Sequence, residues 1–384
     1  MLIDRAVRSF ESNVKFVRAQ VLEVDEAVDY AAGVKIGVQQ ATVRVLEGPA
    51  AGKEVRVSHR LRGDWQIDTY LEPGMGVVVA LTPLAPGEAA TGISYGEVQA
   101  EDGTRYAVAV VDADRTRALG ILVALFFGLI LLFGRRQGLM TMAALFVTAV
   151  LFLYVLIPLY LHGVPALPLT FAFSVLITFV TLFLVAGFNT KALVAAVGVT
   201  FGLAIAAFLG PLAGRAMYLT GATTGFEQLL YYVGDFRKKI TDLFYSGLLI
   251  FTLGALLDVA IEMASAQHEI ARRRPDIGFV RLWESGMNIG RDVMGTMATT
   301  LIFFFFGAST ALVLLFVAQQ SHPLRILNFN FVASELLRAL VGSVSLVLTI
   351  PLTAVIGAFV FPQTVGRQAV EEVEVAPPIE HEVK

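Results

Sequence analysis

Residues 14–110 alternate apolar and polar positions in short runs. FVRAQVLEVD, QQATVRVLEG, KEVRVSHR, MGVVVALTP and RYAVAVVDAD are rich in Val, with Gly, Pro and Asp between them. Alternation with period two predicts strands with one buried face. Five such runs predict a small all-β barrel or sandwich, OB-like in style. From residue 118 the alternation gives way to long apolar runs. Seven are long enough to cross a bilayer, near 118–134, 138–161, 167–187, 192–214, 243–264, 293–318 and 335–360. Lipid offers a free backbone group no partner, so these runs are predicted as helices. Pro158, Pro211 and Pro351 fall within or near the ends of spans and are expected to kink them.

Composition sharpens this division. The 384 residues are 56% hydrophobic and only 16% charged, with mean hydropathy +0.70. About half of the charged side chains lie in residues 1–117. The expected organisation is a tail at 1–13, a β-rich domain at 14–117, a helical membrane domain at 118–361 and an acidic, disordered tail at 362–384. A disordered chain is excluded and a soluble enzyme disfavoured. Net charge is −3, and the strands carry no basic-aromatic face, so nucleic acid is not an expected partner. Cysteine is absent, which removes disulfides, thiolate metal sites and cysteine catalysis.

Loop charge predicts orientation. Arg135 and Arg136 follow the first span, Lys191 precedes the fourth, and Arg272, Arg273, Arg274, Arg281 and Arg291 follow the fifth. These loops alternate with less basic ones and are expected on the cytoplasmic side of the membrane. The β domain is then extracytoplasmic and the C-terminus cytoplasmic. Arg237, Lys238 and Lys239 oppose this, partly offset by Glu227, Asp235 and Asp242. FEQLLYYV, in the same loop, reads as a surface helix. An exported β domain needs a signal peptide or a leading helix, and MLIDRAVRSFESN is neither, so an upstream helix is expected; the alternative, a cytoplasmic barrel with every loop inverted, is opposed by the arginines after the fifth span.

Asp258 is the main candidate for chemistry, since it lies deep within the fifth span. A carboxylate there is expected to face the bundle and to have a partner, and desolvation favours its neutral form. It is either a proton-coupling group or a packing group bonded to Ser or Thr. Glu262 follows one turn on, as the end of a proton path or as an interfacial charge near Arg272 or Arg291. Asp292, Thr296, Thr299 and Phe303 share a stripe on the sixth span. Their hydroxyls could reach Asp258 if the two spans pack at matching depth. Otherwise Asp292 complements a helix N-terminus and the threonines bond helix to helix. Gly254 and Gly295 are expected to allow close helix packing. Glu335 and Arg338 are spaced as a surface ion pair at the mouth of the seventh span. The five histidines, at 59, 162, 268, 322 and 381, lack metal-ligand spacing. Phosphate loops and hydrolase motifs are absent, so neither enzyme activity nor a cofactor is expected.

GALLDVAIEMASAQHEI and ESGMNIGRDVMGTMATTLI resemble the YibE/F family of bacterial membrane proteins. FGRRQGL, LIPLYLHGVP and SELLRALVGSVSLVLTIPLTA extend the resemblance over most of the chain. It implies a multi-spanning envelope protein with an extracytoplasmic N-terminal region. It also implies a first helix ahead of the β domain, which is expected upstream of residue 1. The last three spans also resemble the RND class, including SecD and SecF: Gly254 and Asp258 form G-x-x-x-D, QHEIARRR the charged helix and TMATTLI the Thr-rich start. Two readings follow. One is an ion-coupled permease or translocation accessory with Asp258 as its protonatable group. The other is a non-transporting scaffold or sensor whose β domain binds an envelope partner. The expected partners are the lipid bilayer and a second copy or paralogous membrane protein.

Overall fold

A computed structural model describes residues 14–31, 34–64, 68–85, 95–223, 230 and 240–375. The chain divides into two compact units, Met1–Gly128 and Leu129–Lys384. The first is built on six strands: β1 (Lys15–Ala31), β2 (Val34–Val45), β3 (Glu54–Arg62), β4 (Gly76–Pro83), β5 (Gly96–Gln99) and β6 (Arg105–Ala113). All pairings are antiparallel, in the order β3-β2-β1-β4-β6-β5. The alternating positions Val21, Val43, Val57, Val77, Val79, Leu81 and Val108 are fully buried and form one core. The sheet curls until its two edges meet. On β5, Gly96 lies against the Arg56 carbonyl of β3, where a Cβ would collide with it. The result is a nearly closed barrel, as the alternation predicts. Its sixth strand, β5, has four residues, too few to show a period.

Side chains tie the 68–71 segment across this barrel. The buried Gln39 amide donates to the Leu71 carbonyl at 3.2 Å and accepts from the Leu71 N–H at 2.9 Å. His59 Nε2 bonds the Thr69 carbonyl at 2.9 Å, and burial pushes the His59 pKa down. The Thr69 hydroxyl donates to Asp112 at 2.5 Å, and Arg115 donates to the other Asp112 oxygen at 2.6 Å. Asp114 then caps the first helix by accepting from the Thr116 N–H at 3.0 Å.

The helices are α1 (Thr116–Leu151), α2 (Ile157–Leu161), α3 (Ala166–Ala186), α4 (Thr190–Ala216), α5 (Ile240–Arg273), α6 (Phe279–Ala318), α7 (Pro323–Leu327) and α8 (Asn330–Val375). Among the described residues, six helical runs are long and apolar enough to cross a membrane. The first, Thr116–Leu161, contains both of the first two predicted spans. Its 46 residues are twice what one crossing needs. It breaks at Arg135 (φ 46°, ψ −124°), and Gly138 comes to rest against the Ile130 carbonyl, a contact no straight helix makes. A π turn over Phe152–Leu156 precedes Pro158, giving the helix room for a residue that cannot donate.

Two boundaries differ from expectation. Helix α6 starts at Phe279, well before residue 293, because its first turns are amphipathic and escape an apolar window. Asp292 is therefore inside a helix, and the idea that it complements an N-terminus fails. Helix α8 runs to Val375, past the expected boundary at 361, so 362–375 is helical and not a disordered tail. Helix formers Arg367, Gln368, Ala369, Glu371 and Glu372 carry it on. Residues 376–384, and the expected surface helix over 226–233 apart from Leu230, fall outside the described residues.

In the bundle, α4, α5 and α8 pack against one another, α3 covers α4 and α5, and α6 lies mainly on α8. Leu203, Leu256, Met263, Leu346, Ile350 and Phe361 are fully buried in its core.

Candidate functional site

Helix α5 has two faces. Leu256, Val259, Ala260, Met263 and Gln267 are fully buried. Gly247, Gly254, Asp258 and Glu262, spaced for the opposite face, are all exposed. Asp258 therefore points out of the bundle of a single chain, not into it. Its position follows from helical geometry, since the large apolar residues one and two places away claim the interior. Among the described residues neither Asp258 nor Glu262 has a hydrogen bond or an ion pair. Glu262 pairs with neither Arg272 nor Arg291; Arg291 bonds Asn288 at 2.8 Å instead.

Three contacts set the register between the antiparallel α5 and α6. Gly286 lies against Gln267, Gly290 against Met263, and the Phe251 and Phe304 rings stand 5.1 Å apart. These pairs place Asp258 level with Gly295 and Thr296, Gly254 level with Thr299, and Glu262 level with Asp292. The depths match as expected. The hydroxyls, however, bond their own helix. Thr296 donates to the Val293 carbonyl at 2.9 Å, Thr299 to that of Gly295 at 2.7 Å, and Thr300 to that of Thr296 at 2.9 Å. Asp292, Gly295 and Thr299 are exposed on α6, like the acids on α5. The sequence candidates thus lie exposed at matching depths on two helices. Gly254 and Gly295 belong to this set: a Cβ at either position meets nothing within 4 Å, so among the described residues neither packs a helix.

The glycines that do pack helices are others. A Cβ at Gly198 would overlap the Thr353 hydroxyl, and one at Gly202 would overlap that of Thr349, so α4 rests directly on α8. Gly286 and Gly290 seat α6 on α5 and α8. The G-x-x-x-G spacing of both pairs was the available signal. Sequence reasoning also missed Gln267, which joins three helices. Its fully buried amide donates to the Leu282 carbonyl of α6 at 3.2 Å and the Ala354 carbonyl of α8 at 3.0 Å. Glu335 and Arg338 do pair, at 3.2 Å, but not at the surface: their side chains are 8% and 24% exposed, and Arg338 stacks over the Phe244 ring. Among the described residues no three His, Asp or Glu side chains gather to hold a metal ion.

No curated protein and no solved structure matches the chain. A family model, described as YibE/F-like protein, matches residues 122–363, which takes in the bundle and leaves the barrel outside. Outward acids, depth-matched threonines and glycine-seated helices are thus features of its matched region, and the chain belongs to the YibE/F-like family of membrane proteins.

Proposed function

We propose that this protein is an ion-coupled permease or translocation accessory in which Asp258 takes up and releases the proton. One observation carries the reading: a carboxylate within a membrane-crossing helix, without a partner among the described residues, on a face opened by Gly247 and Gly254. A bare carboxylate against lipid costs at least about 2.5–3.5 kcal/mol. In the working assembly, another helix covers this face, from a second copy or a paralogous membrane protein. The family resemblance supports a bacterial inner membrane, and loop charge favours the Arg272–Arg274 end cytoplasmic and the β domain outside. The test is proton uptake by proteoliposomes under an imposed pH gradient. Wild type takes up protons and Asp258→Asn, folded and inserted, does not; equal uptake by both refutes the role.

A second reading has its own support. The barrel is a compact unit with its own core, and it exposes Phe16, Leu46, Tyr95 and Val111. A scaffold or sensor would use such a surface to bind an envelope partner. Cross-linking of the full chain in its native membrane, lost when Phe16 and Leu46 become Ser, supports this reading; unchanged cross-linking removes it.

A further inference from the structure

Helix α8 carries a polar stripe on its buried side. Arg338, Gly342, Ser345, Thr349, Thr353 and Gly357 recur every three or four residues, a length of ~28 Å at the helical rise. The hydrocarbon core is ~30 Å thick. Helix α4 lies along this stripe, with Gly198 on Thr353 and Gly202 on Thr349. Helix α5 adds Thr252 beside Gly342 and Gln267 Oε1 beside Gly357. The seam thus runs from the Glu335–Arg338 ion pair at one end to Gln267 at the other.

Several of its polar atoms make no hydrogen bond among the described residues: Arg338 Nε, Ser345 Oγ, Thr353 Oγ1 and Gln267 Oε1. Ser345, Thr353 and Gln267 are wholly buried. Bonding back to the helix was open to these hydroxyls, since Thr349 donates to the Ser345 carbonyl at 2.8 Å and Thr252 to that of Leu248 at 2.8 Å. Leaving buried polar atoms unpaired costs stability, and in proteins water commonly fills that role.

We propose that the α4–α8 seam is a water path through the membrane domain. Water bonded to Ser345, Thr353 and Gln267 forms a file between the Glu335–Arg338 pair and the Gln267 end. The glycines hold α4 close to α8 in the conformation described, so the file fills when the two helices part. This path does not depend on Asp258, which lies on the other face of α5.

The chain has no cysteine, so single cysteines report directly on water access. Ser345→Cys and Thr353→Cys are compared with Leu346→Cys and Leu203→Cys, which are equally buried but off the stripe. Each full-length variant, reconstituted in lipid vesicles and matched by gel-filtration profile, is labelled with a small water-soluble methanethiosulfonate. A thiol reacts as its thiolate, which needs water, so the seam cysteines are expected to label at least about tenfold faster. Either seam position decides if the other fails to fold. Labelling no faster than at Leu346→Cys and Leu203→Cys overturns the path. Fast labelling without wild-type proton uptake keeps the path and rejects the Asp258 reading.

Discussion

Asp258 and Gln267 belong to one helix and face opposite ways. Gln267 is wholly buried and ties α5 to α6 and α8 through two hydrogen bonds, while Asp258 is exposed and unbonded among the described residues. The interior side of α5 holds the bundle together. Its outer side carries the acids and open glycines, the arrangement expected of a surface that another helix completes.

The two kinds of glycine make this testable. A methyl at Gly198 meets the Thr353 hydroxyl, so Gly198→Ala must push α4 from α8, at a cost of about 1–3 kcal/mol. A methyl at Gly254 meets nothing, so Gly254→Ala should change stability by no more than about 0.5 kcal/mol. Thermal unfolding of the purified chain measures both. Equal losses would show that the outer face is already packed within one chain.

If the outer face joins two copies, Gly254 on one chain comes near Thr299 on its neighbour, since register sets them at one depth. Two tagged versions, one Gly254→Cys and the other Thr299→Cys, should cross-link when co-expressed. Phe208→Cys, exposed on α4, is the control and should not. Cross-linking equal to the control would leave a paralogous protein as the helix that covers Asp258.

The buried pair on α8 predicts an asymmetry. Arg338→Ala strands the Glu335 carboxylate, at a cost of about 3–5 kcal/mol. Adding Glu335→Gln should recover most of that loss, because it removes the charge left without its counter-ion. Chemical denaturation of the two variants decides it; no recovery would mean that Glu335 is held by its other interactions.

In the barrel, the Arg115 hydrogen bond, with that of Thr69, holds the Asp112 carboxyl at about 2. The folded value lies below the unfolded one of about 3.9. Asp112 therefore stabilises the fold fully above about pH 4 and loses that contribution as pH falls toward about 2. Its side chain is 46% exposed, so solvent weakens the effect. Over that window the melting temperature of Asp112→Asn should fall less steeply than that of wild type. Parallel curves would show that the bonds to Arg115 and Thr69 do not persist in solution.

The fold was largely legible because alternation and apolar length are local signals. Five strands and all the spans show either period two or a long apolar run. β5 escaped because four residues carry no period, and the start of α6 because an amphipathic turn is not apolar enough. The site was legible as residues but not as geometry. Asp258, Glu262 and Thr299 could be placed on helix faces by spacing. Which face looks inward depends on where α4 and α8 dock, and that is a tertiary fact. The interior glycine–threonine seam had a sequence trace, in G-x-x-x-G at 198–202 and S-x-x-x-T-x-x-x-T at 345–353, overshadowed by the charged residues.

The central claim, that Asp258 exchanges a proton within the membrane, is tested most directly by infrared titration of the protein in lipid. A protonated carboxylic acid has a carbonyl band that its carboxylate lacks. The account predicts, beyond the bands of the other carboxyls, one band that appears and disappears with pH in wild type and is missing at every pH in Asp258→Asn. A pH-dependent spectrum identical in the two proteins would contradict it.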